Sequence, residues 1–351
     1  MKKALIIIFS TLAILFIFLF GVGTYLNTRP PVIPEFKDDL TVYIQPHTEI
    51  GVVLDSIYTS VKHPARARAA VKRVGLSQSN IKPGKYTFDK KSSVYSAVSK
   101  IKFGKETPTK LTFSGTIRSK QKIAQRISRQ MMVDSLTVIN ALRDPEFCGK
   151  YGFDTLTIFA MILPDTYYMF WSSSVDQIFD RLKKEYDTYW TDERKQLAAK
   201  QSLSPLQVSI LASIVDQETR KKDDYPRIAA VYLNRLRKGM KLQACPTINY
   251  CFGYTLPHMY TRYTKVDSPF NTYLHYGLPP APISVPPKAC IEAVLHPEKT
   301  DYLFFCASPN FDGTHRFATT YAEHARNSRE YDKALVVYLA EKKKKQAATG
   351  K

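Results

Sequence analysis

Glu218 closes the run 204–219, SPLQVSILASIVDQET, on a face otherwise taken by Leu211, Ile214 and Val215. At about 100° per residue these four share one side of a helix, so a carboxylic acid occupies the place of a further apolar contact. Asp216, two residues earlier, is expected to point nearly the opposite way. Two effects should raise the Glu218 pKa: partial burial disfavours the anion, and the C-terminal end of a helix presents negative dipole charge. A carboxyl group that keeps its proton near neutral pH can serve as a general acid. The bland alternative is a solvated charge at a helix end, since Arg220, Lys221, Lys222, Asp223 and Asp224 follow directly.

The helix that would position this acid is marked at its start by Ser204 as cap, Pro205 in the first turn and Gln207 completing a capping box. A second helix is expected over 225–238, closed by Gly239. Other chemistries find less support. The seven histidines are scattered from His47 to His324 without an H-E-x-x-H spacing, so no metal site is expected and no cofactor is implied. No G-x-S-x-G nucleophile motif occurs. Of the five cysteines at least one must be unpaired, and Cys245 and Cys251 are close enough in sequence for a bridge to be considered.

The wider pattern reads as α+β. Helices are expected over 119–132 and 176–199, short strands at 111–113 and 302–307, and a closing helix over 320–331. These belong to a region of residues 110–339, long enough for one large core or two lobes around a cleft. Residues 40–109 read as a smaller α+β unit with strands at 41–44 and 86–88 and helices over 50–61, 64–74 and 93–101. Residues 4–26 are apolar and almost uncharged, enough to cross a bilayer; Lys2 and Lys3 in the short end 1–3 predict a cytoplasmic N-terminus. The Pro-rich stretch 27–39 reads as a stiff spacer, and the lysine-rich tail 340–351 as disordered.

Several further motifs follow Glu218 in order. They are Asn234-Arg235-Leu236; Leu242-Gln243 with Pro246-Thr247; Ser268-Pro269 with Asn271-Thr272-Tyr273; and Gly277-Leu278-Pro279-Pro280. The strand 300–305 and Asp312-Gly313-Thr314-His315 complete the set. Together they resemble the endolytic murein transglycosylases of the YceG-like family, and weaker echoes at Pro164-Asp165-Thr166-Tyr167 and Gly84-Lys85-Tyr86-Thr87 extend the resemblance over most of the chain. The chain departs from the family pattern at Cys245, where an aspartate is common, and at Ser114-Gly115 and Phe159-Ala160, where the family has Glu-Gly.

The resemblance implies a lytic enzyme that cleaves the bond between N-acetylmuramic acid and N-acetylglucosamine and leaves a 1,6-anhydro end, with Glu218 as the acid. Chemistry and resemblance together single out Gln243, Thr247 and Asn271 for the acetamido and hydroxyl groups, and Tyr250, Tyr254 and Tyr273 for stacking on sugar faces. Asn234 is a further candidate that could simply brace the Glu218 helix. The family also implies a LysM-like module over 40–109, an inner-membrane anchor with the catalytic region periplasmic, and peptidoglycan strands and peptidoglycan synthases as partners. A water-using muramidase and a non-catalytic glycan-binding scaffold are the competing readings. The net charge of +20 raises nucleic-acid binding as another class, but no helix-turn-helix, zinc-finger or RNP-like pattern accompanies it, so no nucleic-acid partner is expected.

Overall fold

The computed structural model describes residues 14–21 and 35–348. The chain divides into two compact units: residues up to Lys110 with Tyr168–Ser173, and Leu111–Tyr167 with Ser174 onward. Residues 14–21 are helical and exposed; the rest of the expected anchor over 4–26, and the spacer before residue 35, lie outside the described residues. Among the described residues no helix is long and apolar enough to cross a membrane.

The first unit runs strand, helix, helix, strand: β1 (Leu40–Ile44), α1 (Ile50–Ser60), α2 (Pro64–Val74) and β2 (Gly84–Phe88), followed by α3 (Val94–Lys102). The two strands pair antiparallel from Leu40 opposite Phe88 to Ile44 opposite Gly84. Their alternation sends Val42, Ile44, Tyr86 and Phe88 into a core with Ile57, Val98 and Ile101, while Thr41 and Thr87 hydrogen-bond to each other on the outer face at 3.1 Å. Helix α2 stops at Gly75, whose φ of 66° is a left-handed conformation open to glycine at little cost.

Two short strands, β3 (Thr109–Thr112) and β4 (Thr166–Met169), fall where the chain passes from one unit to the other. The second unit is mainly helical: α4 (Lys120–Ser128), α5 (Ser135–Arg143), α6 (Pro145–Lys150), α7 (Val175–Tyr189), α8 (Asp192–Lys200), α9 (Pro205–Glu218), α10 (Tyr225–Arg237), α11 (Cys245–Cys251) and α12 (Lys288–Leu295). An antiparallel pair, β5 (Phe304–Ala307) and β6 (His315–Ala318), precedes the closing helix α13 (Tyr321–Ala348). The architecture is α+β, as expected from the sequence.

Helix α9 is the axis of this unit. It begins at the capping box of Ser204 and Gln207 and packs against α10 and α12. Every residue from Val208 to Val215 is buried, so α9 is enclosed on all sides and does not present the single apolar stripe expected. Ser209 and Ser213 tolerate this because their hydroxyls donate to the carbonyls of Pro205 and Ile210 within the helix, at 3.1 and 2.7 Å.

Other expectations change for local reasons. The helix expected over 176–199 is two, because the chain turns at the buried Trp190 and Thr191 caps the second by accepting from the Arg194 N–H at 3.3 Å. The tail expected to be disordered continues α13 as far as Ala348, since its Lys, Glu, Gln and Ala residues are good helix formers with no breaker before Gly350. Cys245 and Cys251 sit at opposite ends of α11 and both are free thiols. Six residue steps along the helix separate them by about 9 Å along the axis, too far for a disulfide.

Candidate active site

Glu218 is the last residue of α9, where the enclosed helix reaches a surface. It is part-buried, and it lines three adjoining recesses of about 350, 240 and 280 Å³. The first holds Thr116, Arg118, Asp216 and Arg220; the second Arg118, Cys245, Asn249 and Tyr254; the third Tyr232, Arg235, Gln243, Cys245 and Tyr273. A groove therefore runs past the acid on several sides. Burial pushes the Glu218 pKa from its ordinary 4.5 up to about 7, against the opposing effects of a Tyr232 hydrogen bond and the Arg235 charge.

The groups that hold this acid come from α10. Tyr232, itself buried, donates its hydroxyl to Glu218 Oε1. One turn on, Arg235 is fixed by donating from Nε to the Leu303 carbonyl at 2.6 Å and from a terminal nitrogen to that of Leu242 at 2.7 Å. It thus faces the acid as a positive charge tethered to two backbone carbonyls, and among the described residues it makes no ion pair. On the other side, Arg118 donates from Nε to the Gln217 side chain at 2.8 Å and lies over the Tyr254 ring at 4.4 Å. Tyr232 and Arg118 are not singled out from the sequence, and Arg235 enters there only within the motif Asn234-Arg235-Leu236. Tyr232 reads there as one more core aromatic, and Arg118 as one of many surface cations.

Asp216 departs from expectation. It lines the first recess together with Glu218, because the groove wraps around the end of the helix and meets residues on both sides of it. Burial raises its pKa too, opposed by a Gln217 hydrogen bond and by Arg118 and Arg220.

The structure separates the expected sugar contacts. Gln243, Tyr254 and Tyr273 line the groove with Glu218. Gln243 is exposed in a left-handed conformation, φ 51°, held by its backbone N–H donating to the Thr272 carbonyl at 3.0 Å. Tyr273 Oη lies 3.1 Å from Cys245 Sγ, and the Tyr254 hydroxyl donates to the Ile283 carbonyl at 2.5 Å. The others line none of the recesses at Glu218. Thr247 is fully buried and bonds to Ala244 O and Thr272 Oγ1. Asn271, also fully buried, donates to the carbonyls of Thr264 and Val266 and accepts from the Tyr273 N–H. Tyr250 packs on Phe270 with ring centres 4.5 Å apart. Asn234 donates to the carbonyls of Thr300 and Tyr302, bracing α10 against the segment before β5. All four have polar or aromatic groups engaged within the protein.

A family model matches residues 42–330, a span that takes in Glu218, Tyr232 and the loops around them, and the chain belongs to the YceG-like family. Over 159 residues it is 35% identical to the endolytic murein transglycosylase of Bacillus subtilis, covering 45% of this chain and 43% of that protein. Over 237 residues it is 27% identical to the endolytic murein transglycosylase of Streptococcus pneumoniae, covering 65% of this chain and 40% of that one. These matches therefore span less than half the length of the curated relatives. A crystal structure of a YceG-like protein from Listeria monocytogenes superposes with a TM-score of 0.55 at 28% identity, covering 83% of this chain and 99% of that one.

Proposed function

We propose that the chain is a peptidoglycan lytic transglycosylase in which Glu218 acts first as acid and then as base. The observation that carries this reading is a carboxyl group with its pKa raised to about 7 at the meeting point of the recesses. Protonated Glu218 delivers its proton to the oxygen joining C1 of N-acetylmuramic acid to N-acetylglucosamine, and the C1–O bond breaks with oxocarbenium character at C1. Tyr232 and Arg235 then stabilise the carboxylate left behind. The muramic C6 hydroxyl attacks C1 as Glu218 takes up its proton, closing the 1,6-anhydro ring and restoring the acid. The nucleophile belongs to the substrate, so effective molarity replaces a bound water and no second carboxylate is needed.

Gln243, Tyr254 and Tyr273 are read as the sugar contacts within this groove, supported by their place beside Glu218. The first unit is read as LysM-like on its strand–helix–helix–strand order, and residues 4–26 as an inner-membrane anchor on their apolar composition, which would leave the catalytic unit periplasmic and within reach of peptidoglycan synthases. Mass spectrometry of peptidoglycan digested by the full chain and by Glu218→Gln tests the chemistry. Anhydro ends from the wild type alone are expected. Reducing ends would mean hydrolysis, and equal cleavage by both proteins would remove Glu218 from the mechanism.

A further inference from the structure

Next to the Glu218 groove lies a second cavity, of about 560 Å³, that the proposed chemistry leaves unused. It adjoins the first recess through Thr116, which lines both. One wall is a face of α4 and the residue that caps it: Lys122, Gln125, Arg126 and the cap Arg129 fall at the i, i+3, i+4 and i+7 spacing, while Ile123, Ala124 and Ile127 bury the opposite side. The other wall is the hydroxyl-bearing segment with Thr112, Ser114 and Thr116. No acidic side chain lines the cavity. Arg126 has only a neutral partner there, donating to Ser114 Oγ at 3.3 Å.

We propose that this cavity is a subsite for the carboxylates of the stem peptides carried by the glycan strand, so that the enzyme selects peptide-bearing over stripped strands. The inference rests on the glycan reading of the Glu218 groove and adds a substrate class to it. A muramic residue seated at Glu218 carries its peptide on a lactyl arm, and Thr116, which lines both the first recess and this cavity, marks where such an arm can pass from one to the other. Three cations with hydroxyl neighbours and no acid suit an anion that offers several acceptor oxygens. Because the site is partly open to water, each contact contributes modestly and the preference comes from their sum.

Binding to the full chain carrying Glu218→Gln tests the subsite without depending on cleavage. The probes are soluble glycan strands with free stem-peptide carboxylates, the same strands with those carboxylates amidated, and the same strands stripped of peptide. Free-carboxylate strands are expected to bind about tenfold more tightly than the other two. Adding Lys122→Gln, Arg126→Gln and Arg129→Gln together should bring the ratio close to one at an unchanged melting temperature. Equal affinity of the starting chain for all three strands overturns the proposal, and that arm needs no substitution in the cavity. So does a preference that follows a terminal phosphate on the strand and ignores amidation. A failure of the Glu218 chemistry would show separately, as an absence of anhydro ends from wild-type digests.

Discussion

Tyr232 and burial pull the Glu218 carboxyl in opposite directions, and the balance sets the pH at which it can work. The proposed mechanism requires the protonated acid, so kcat/KM should fall about tenfold per pH unit above the Glu218 pKa of about 7. Tyr232→Phe removes a hydrogen bond that favours the anion, so the acid's pKa rises and the alkaline limb moves to higher pH. The rate should drop at the same time, since the carboxylate formed in the first step loses a donor. A pH profile of anhydro-end formation checks this; an unmoved limb would mean that Tyr232 does not touch the working acid. The same shift predicts a stability effect. Folded Glu218 holds its proton more tightly than the unfolded residue, at 4.5, so the fold carries no penalty below that pH and the full one above about 7. Glu218→Gln should therefore stabilise the protein at pH 8, by an upper figure of about 3 kcal/mol, and do nothing at pH 4. Denaturant unfolding at the two pH values reads the difference.

At the scale of elements, the precision of the site depends on α9 being held where it ends. Ser213, enclosed in that helix, accepts the backbone N–H of Ile283 at 3.0 Å and so ties α9 to the segment whose carbonyl at Ile283 holds the groove-lining Tyr254. Ser213→Ala leaves a buried donor without its partner and is expected to cost about 1–3 kcal/mol in chemical denaturation, far more than an exposed serine would. A cost below about 0.5 kcal/mol would show that the segment at Ile283 is anchored elsewhere. The start of α9 was legible in the sequence because capping is local: Ser204, Pro205 and Gln207 supply their own partners within one turn. Its burial on every side was not, because Ser209 and Ser213 look polar until the carbonyls that take up their hydroxyls are known. For the same reason Thr247 and Asn271 read as sugar-binding groups. A hydroxyl or amide has the same sequence signature whether it faces a ligand or satisfies backbone carbonyls, as both of these do.

Across the molecule, the groove is assembled from segments that no local pattern could have joined: Thr116 and Arg118, the end of α9, Gln243 and Cys245, Tyr254 and Tyr273. What the sequence does state globally is charge, 51 Lys and Arg against 31 Asp and Glu. Arg118 and Arg220 line the first recess at Glu218, and Lys122, Arg126 and Arg129 the cavity beside it. A substrate bearing carboxylates should be drawn to this surface by a field that salt screens, with a Debye length of about 10 Å at 0.1 M and about 3 Å at 1 M. In the proposed mechanism proton transfer takes place at a part-buried acid that salt reaches poorly. Raising ionic strength from about 0.05 to about 0.5 M should therefore increase KM for peptide-bearing strands several-fold while kcat stays level. Strands stripped of peptide should show little change in either constant. If kcat fell and KM held steady, salt would be acting on the acid itself and the long-range attraction would play no part in capture; steady-state kinetics over a salt series separates the two outcomes.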